Sequence, residues 1–116
     1  MAAITNYYID TGSNFGSIIT VRGSDGLPLN LTGYTVTSYI RRSPTSKTHI
    51  SFNPTIYSAV GGQVRLSLSH TDTDGIKPGR YMYDVEIQAP GVGGERRRVS
   101  EGIIVFTPQI TKPDPE

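Results

Sequence analysis

Asp72-Thr73-Asp74-Gly75 is the stretch that comes nearest to chemistry. Alternate acids followed by glycine can wrap a hard cation, as the opening of a calcium loop does. No third acid follows, and no bidentate glutamate stands at the distance such a loop requires, so the same residues read as a turn. His49 and His70 are the only histidines, and neither has a second ligand at metal spacing. A serine nucleophile needs a base and an orienting acid, and the chain has no G-x-S-x-G elbow. Asp84 and Glu86 stand two residues apart on one strand face, a glycosidase-like pair only if a cleft surrounds them. Pairing across strands with the arginines of Arg96-Arg97-Arg98 accounts for them more simply. That run is the one dense basic patch. The single aromatic near it, Phe106, is not interleaved with it as in nucleic-acid platforms, so charge guarding a hairpin edge is the simpler role. Residue types therefore predict no catalytic site, no cofactor and no metal.

The elements that would position these residues are strands. In Lys77–Gln88, Pro78-Gly79 makes a turn, because proline pre-sets one dihedral and glycine supplies the unusual one. Tyr81, Tyr83, Val85 and Ile87 then fall on one parity, with Arg80, Met82, Asp84, Glu86 and Gln88 on the other. A period of two predicts a half-buried antiparallel strand at the centre of a small all-β domain. Val64, Leu66 and Leu68 alternate with Arg65, Ser67 and Ser69 after the Gly61-Gly62 break. Tyr34, Val36, Ser38 and Ile40 share a face until Arg41 and Arg42 turn to solvent.

Elsewhere the patterns are shorter. Phe15–Arg22 reads as a strand between Thr11-Gly12-Ser13-Asn14 and Gly23-Ser24-Asp25-Gly26, both turn signals. Leu27, Leu29 and Leu31 follow at alternate positions around Pro28. Between Ser43 and Ser58, Pro44 and Pro54 belong to edges or loops, while Ile50, Phe52 and Ile56 are apolar enough for a short strand. His70–Ile76 reads as a loop or one helical turn. Gly91–Gly94 joins the central strand to Arg96–Phe106 as a hairpin, with Val99, Ile103 and Val105 on one parity. The tally is seven or eight strands with the turn spacing of a sandwich, and no longer helix. The expected core is Tyr81, Tyr83, Val85, Ile87, Val64, Leu66, Leu68, Val36 and Ile40.

Composition agrees. A chain of 116 residues is one domain's worth. Thirteen glycines and eight prolines favour turns over helices. Eleven basic against ten acidic residues leave a net charge of +1, which offers no overall attraction to nucleic acid or membrane. The absence of cysteine excludes disulfides and thiolate metal sites. No apolar run approaches the roughly 20 residues of a membrane helix, and the first ten residues lack the basic start and apolar core of a signal peptide. The expected location is a cytoplasm, or something larger assembled there.

Asp10–Phe15 (DTGSNF), Asp25-Gly26, Leu29–Val36 (LNLTGYTV) and Ile40–Ser43 follow one another along the first part of the chain. Gly62–Leu68, Lys77–Ile87, Glu101–Val105 and Thr107-Pro108 complete the series. This order of motifs resembles a family of small virion proteins of tailed phages, especially those of cyanobacteria. It is similar, more distantly, to the N-terminal immunoglobulin-like domain of phage baseplate upper proteins. Baseplate upper proteins are longer, with this domain as a first module. The resemblance implies an immunoglobulin-like antiparallel β-sandwich and a non-enzymatic role in the virion, decorating or cementing the capsid. A tail or baseplate protein is the alternative within that class, and a carbohydrate-binding module using Tyr7, Tyr8, Tyr39 and Tyr57 is the alternative outside it. The implied partners are the major capsid protein or tail and baseplate proteins, with the chain itself a homo-oligomer.

The termini carry the remaining expectation. Residues 1–10 form an N-terminal arm or an edge strand, 11–107 the sandwich, and 108–116 an extended proline-rich tail. Ile4, Tyr7, Tyr8, Ile9 and Ile110 are apolar groups that a small sandwich has little room to cover, so they are expected to make assembly contacts.

Overall fold

The structure, a computed structural model, describes residues 3–43, 45, 49–91 and 93–108. Among the described residues nine strands and one short helix are formed. They are β1 (Ala3–Ile4), β2 (Tyr7–Asp10), β3 (Phe15–Thr20), β4 (Thr35–Arg41), β5 (Ile50–Ser51), β6 (Thr55–Ser58), β7 (Gln63–Leu68), α1 (His70–Asp74), β8 (Gly79–Gln88) and β9 (Arg96–Thr107). Six lie in one sheet, ordered β1-β9-β8-β4-β5 with β2 also on β9, and three in the other, ordered β3-β7-β6. This is the all-β sandwich that the alternation predicts. Its strand order is immunoglobulin-like, with β3, β7 and β6 facing β9, β8 and β4.

One core lies between the sheets. The whole apolar parity of β7 and β8 is buried in it: Val64, Leu66 and Leu68 against Tyr81, Tyr83, Val85 and Ile87. Ile40 of β4 is buried with them, and Val36 packs at the margin, half-covered. Phe52 is fully buried although it lies just past β5, and it stacks with Phe15 and meets Tyr83 edge-on. Of the three alternating leucines, Leu31 is buried, Leu29 half-buried and Leu27 exposed, because this segment is a loop rather than a strand. Gly62 pins that loop, its carbonyl accepting from the Val21 N–H, and its φ of 67° with Val21 O and Leu29 O close by admits no side chain.

Asp72-Thr73-Asp74-Gly75 is the end of α1. Ser69 Oγ accepts from the Asp72 N–H while the Asp72 carboxylate accepts from the Ser69 N–H, a reciprocal capping box. These hydrogen bonds hold the Asp72 carboxyl below its ordinary pKa, the Ser69 N–H first among them. Thr73 is buried and ties the helix to the β2–β3 turn, accepting from the Gly12 N–H and donating to Ser13 O. Asn14 Oδ1 accepts from the His70 N–H in the same junction. The DTGSN motif is thus a docking point for α1. Tyr81 adds a tyrosine corner at the start of β8, its hydroxyl donating to Lys77 O at 2.7 Å, with the Arg42 guanidinium over its ring.

In β9 the face turned to the core is Ser100, Ile104 and Phe106, while Ile103 and Val105 lie half-covered on the outer side. The register decides this, since Ile104 pairs with Tyr81 and takes its inward facing, while Ile103 and Val105 pair with Met82 and Arg80 on the outer face. The N-terminal segment pairs in parallel with the other side of β9 and encloses it between two neighbours. Tyr7 and Ile9 point inward beside Ile104 and Phe106. Residues 3–10 are therefore an edge of this sandwich's own sheet, one of the two roles expected of them.

Candidate functional site

The outer face of the six-stranded sheet carries a groove of about 590 Å³. Strand pairing arranges its side chains in rows across the sheet. One row runs Ile4, Glu101, Asp84, Tyr39 and Ser51. The next is Ile103, Met82 and Arg41, and beyond it lie Tyr8, Val105 and Arg80. On the other side Arg98 faces Glu86 and Thr37.

Charges in this face are coupled through Arg98. Its Nε lies 3.2 Å from Asp84 Oδ2 and its Nη1 3.0 Å from Glu101 Oε1. A β-bulge makes this possible. Val85 pairs with Ser100 but Glu86 with Arg98, so Val99 is the extra residue and the facing of β9 inverts beyond it. Without that inversion Arg98 would point inward. Burial, and then the neighbouring Glu86 carboxylate, push the Asp84 carboxyl above its ordinary pKa, against the pull of Arg98.

The bulge also divides the expected basic patch. Arg96 and Arg98 share the outer face, where Arg96 donates to Gln88 Oε1 at 3.2 Å. Arg97 projects the other way, beside Ile87 in register, and donates to Arg22 O at 3.4 Å. It lines a second cavity, of about 360 Å³, with Glu95, Tyr34 and the 23–30 loop. The three arginines do not make one strip. Asp84 has the cross-strand arginine partner that its spacing suggested, in Arg98, and Glu86 faces the same Arg98 in register.

The expected assembly residues separate by facing. Ile4 is 73% exposed and Tyr8 77%, both on the outer face. Tyr7 is half-buried, packed edge-on against Phe15 and joined to Ser17 Oγ, and Ile9 is 2% exposed within the core. Ile110 lies outside the described residues, as do Met1 and all of the tail beyond Pro108. Of the two candidate sugar-binding tyrosines not yet placed, Tyr57 is exposed on β6 of the other sheet. Tyr39 lies in the groove, with His49 at 4.1 Å between ring centroids and the Arg41 guanidinium over its ring. Met82 and Ile103 are groove residues that sequence reasoning left unassigned. Met82 sits on the polar parity of its strand, and that anomaly was the available signal.

Among the described residues no group of three or more His, Asp or Glu side chains could hold a metal ion. No helix among them is long and apolar enough to cross a membrane.

No family model matches the chain. No curated protein matches it either. Among solved structures it is similar to an internalin-like protein of Listeria monocytogenes, with a TM-score of 0.41 and 15% identity over 93% of this chain and 28% of that one. It is also similar to a family 123 glycoside hydrolase from Clostridium perfringens, with a TM-score of 0.43 and 11% identity over 92% of this chain and 23% of that one. The chain spans about a quarter of the length of each.

Proposed function

We propose that this chain is a non-enzymatic structural protein of a tailed-phage virion, decorating or cementing the capsid through protein–protein contacts. The observation that carries the protein-binding part is the outer face of the large sheet. Ile4, Tyr8, Tyr39 and Met82 are open to solvent there beside a charged network, and a contiguous apolar surface rimmed by charge is what a protein partner covers. The phage part is supported by the motif order described above. Mass spectrometry of purified virions tests it, with copy number measured against the major capsid protein. A fixed stoichiometry near that of the capsid protein is expected. A few copies per particle would move the protein to the tail or baseplate, and absence from particles overturns the assignment.

The Tyr39 ring beside Asp84 and Arg98 favours a second reading, a carbohydrate-binding module, since sugars take an aromatic surface flanked by hydrogen-bonding charges. Glycan-array binding that disappears in Tyr39→Ala would establish it.

A further inference from the structure

Ile103 and Met82 form the row that bisects the outer face. On β8, Arg80 stands two residues to one side of Met82 and Asp84 two residues to the other. On β9, Val105 and Glu101 flank Ile103 in the same way. Through their pairing they set Tyr8 and Ile4 at those two levels. Two residues along a strand are about 7 Å. A two-fold axis lying along the Ile103–Met82 row therefore exchanges Arg80 with Asp84 and Tyr8 with Ile4.

We propose that this face binds the same face of a second copy of the chain about that axis, an inference that rests on the structural role proposed above and names the partner. In the pair, Arg80 of each copy lies over Asp84 of the other, and Tyr8 over Ile4. Met82 and Ile103 meet their own counterparts at the centre. Arg41 is on the same row, but its guanidinium leans back over the Tyr39 ring, 5.6 Å from its centroid, and so away from the axis. Charge complementarity selects this occupant. One side of the row carries Arg80, and the other carries Asp84, Glu86 and Glu101 with Arg98 among them, three acids against one base, so a partner of uniform charge meets one half of the face with like charge. A second copy turned by the two-fold meets both halves with opposite charge and covers its most exposed side chains, as an isologous interface does.

The chain has no cysteine, so Met82→Cys introduces a lone thiol. Facing sheets pack about 10 Å apart, and a short bis-maleimide should then join two copies through position 82 in high yield. Thr20→Cys, on the exposed side of β3, should not cross-link. Light scattering should show a dimer that Arg80→Glu and Asp84→Arg each weaken at least about tenfold, and that the double variant restores. Because Asp84→Arg also disturbs the Arg98 pair, Tyr8→Lys gives an independent check, weakening the dimer with no change in melting temperature. A wild-type monomer at millimolar concentration, or equal cross-linking at positions 82 and 20, overturns the proposal. A monomer that is still stoichiometric in virions overturns the dimer alone, while a dimer absent from virions overturns the virion role alone.

Discussion

Tyr83 and Gly102 are direct partners across β8 and β9, and the missing side chain of the second lets the hydroxyl of the first leave the core. Thr5 O passes over Gly102 and accepts from Tyr83 Oη at 2.7 Å. Burial pushes the phenol up to about 12, so it remains a donor throughout the ordinary pH range. Tyr83→Phe should cost about 1–3 kcal/mol in urea denaturation, since it strands a carbonyl. Gly102→Ala should cost more, because its Cβ overlaps Thr5 O and β1 and β2 must lift. Faster amide exchange over residues 3–10 would show that lifting.

Removal of residues 1–9 should unfold the domain or lower its melting temperature sharply. It deletes Ile9 from the core, Tyr7 from the aromatic cluster and the acceptor of Tyr83 together. Ile9→Ala alone should cost about 2–5 kcal/mol. An unchanged melting temperature in the truncated protein would show that this segment contributes nothing to the fold.

Thr73→Val keeps the shape of the side chain but leaves the Gly12 N–H and Ser13 O without their partner. The expected loss is about 1–3 kcal/mol. The loosened junction should show as increased amide exchange at residues 12–14 before global unfolding.

Acid should act on Asp84 and Asp72 in opposite senses. Asp84 has a raised pKa in the fold, so the folded state binds its proton more readily than the unfolded chain. As pH falls from that raised value toward the unfolded value near 3.9, this group adds stability. Asp72 has a lowered pKa, and its contribution is present above the unfolded value and lost as pH falls through the folded one. Asp84→Asn should therefore lose stability more steeply than wild type on acidification. Asp72→Ala should differ from wild type at neutral pH and converge with it in strong acid. Thermal melts across that range test both.

Leu66 is completely buried at the middle of β7, opposite Ser17 in register. Leu66→Ala should cost about 2–5 kcal/mol as a lowered denaturation midpoint. A loss below 1 kcal/mol would mean that the core collapses into the space.

Local alternation determined a great deal by itself. Along Val64–Leu68 and Tyr81–Ile87 the side-chain period of a strand is written directly in the residue types, and the core faces follow from it. The turns before β7 and between β8 and β9 were equally legible, because glycine acts within a few residues. Tertiary structure alone decided what lies far apart in sequence or has no residue-type signature. The β-bulge at Val99 inverts the facing of β9, which separates Arg97 from Arg96 and Arg98 and puts Arg98 onto Asp84. A run of three arginines looks the same with or without that extra residue. The N-terminal segment is apolar enough for either an arm or a strand. Its partner was settled by Gly102, nearly a hundred residues away, where the absence of a Cβ lets Thr5 approach Tyr83. The outer-face groove has the same origin, since Ile4, Ile103, Met82 and Tyr39 become neighbours only through strand pairing, which sequence spacing does not encode.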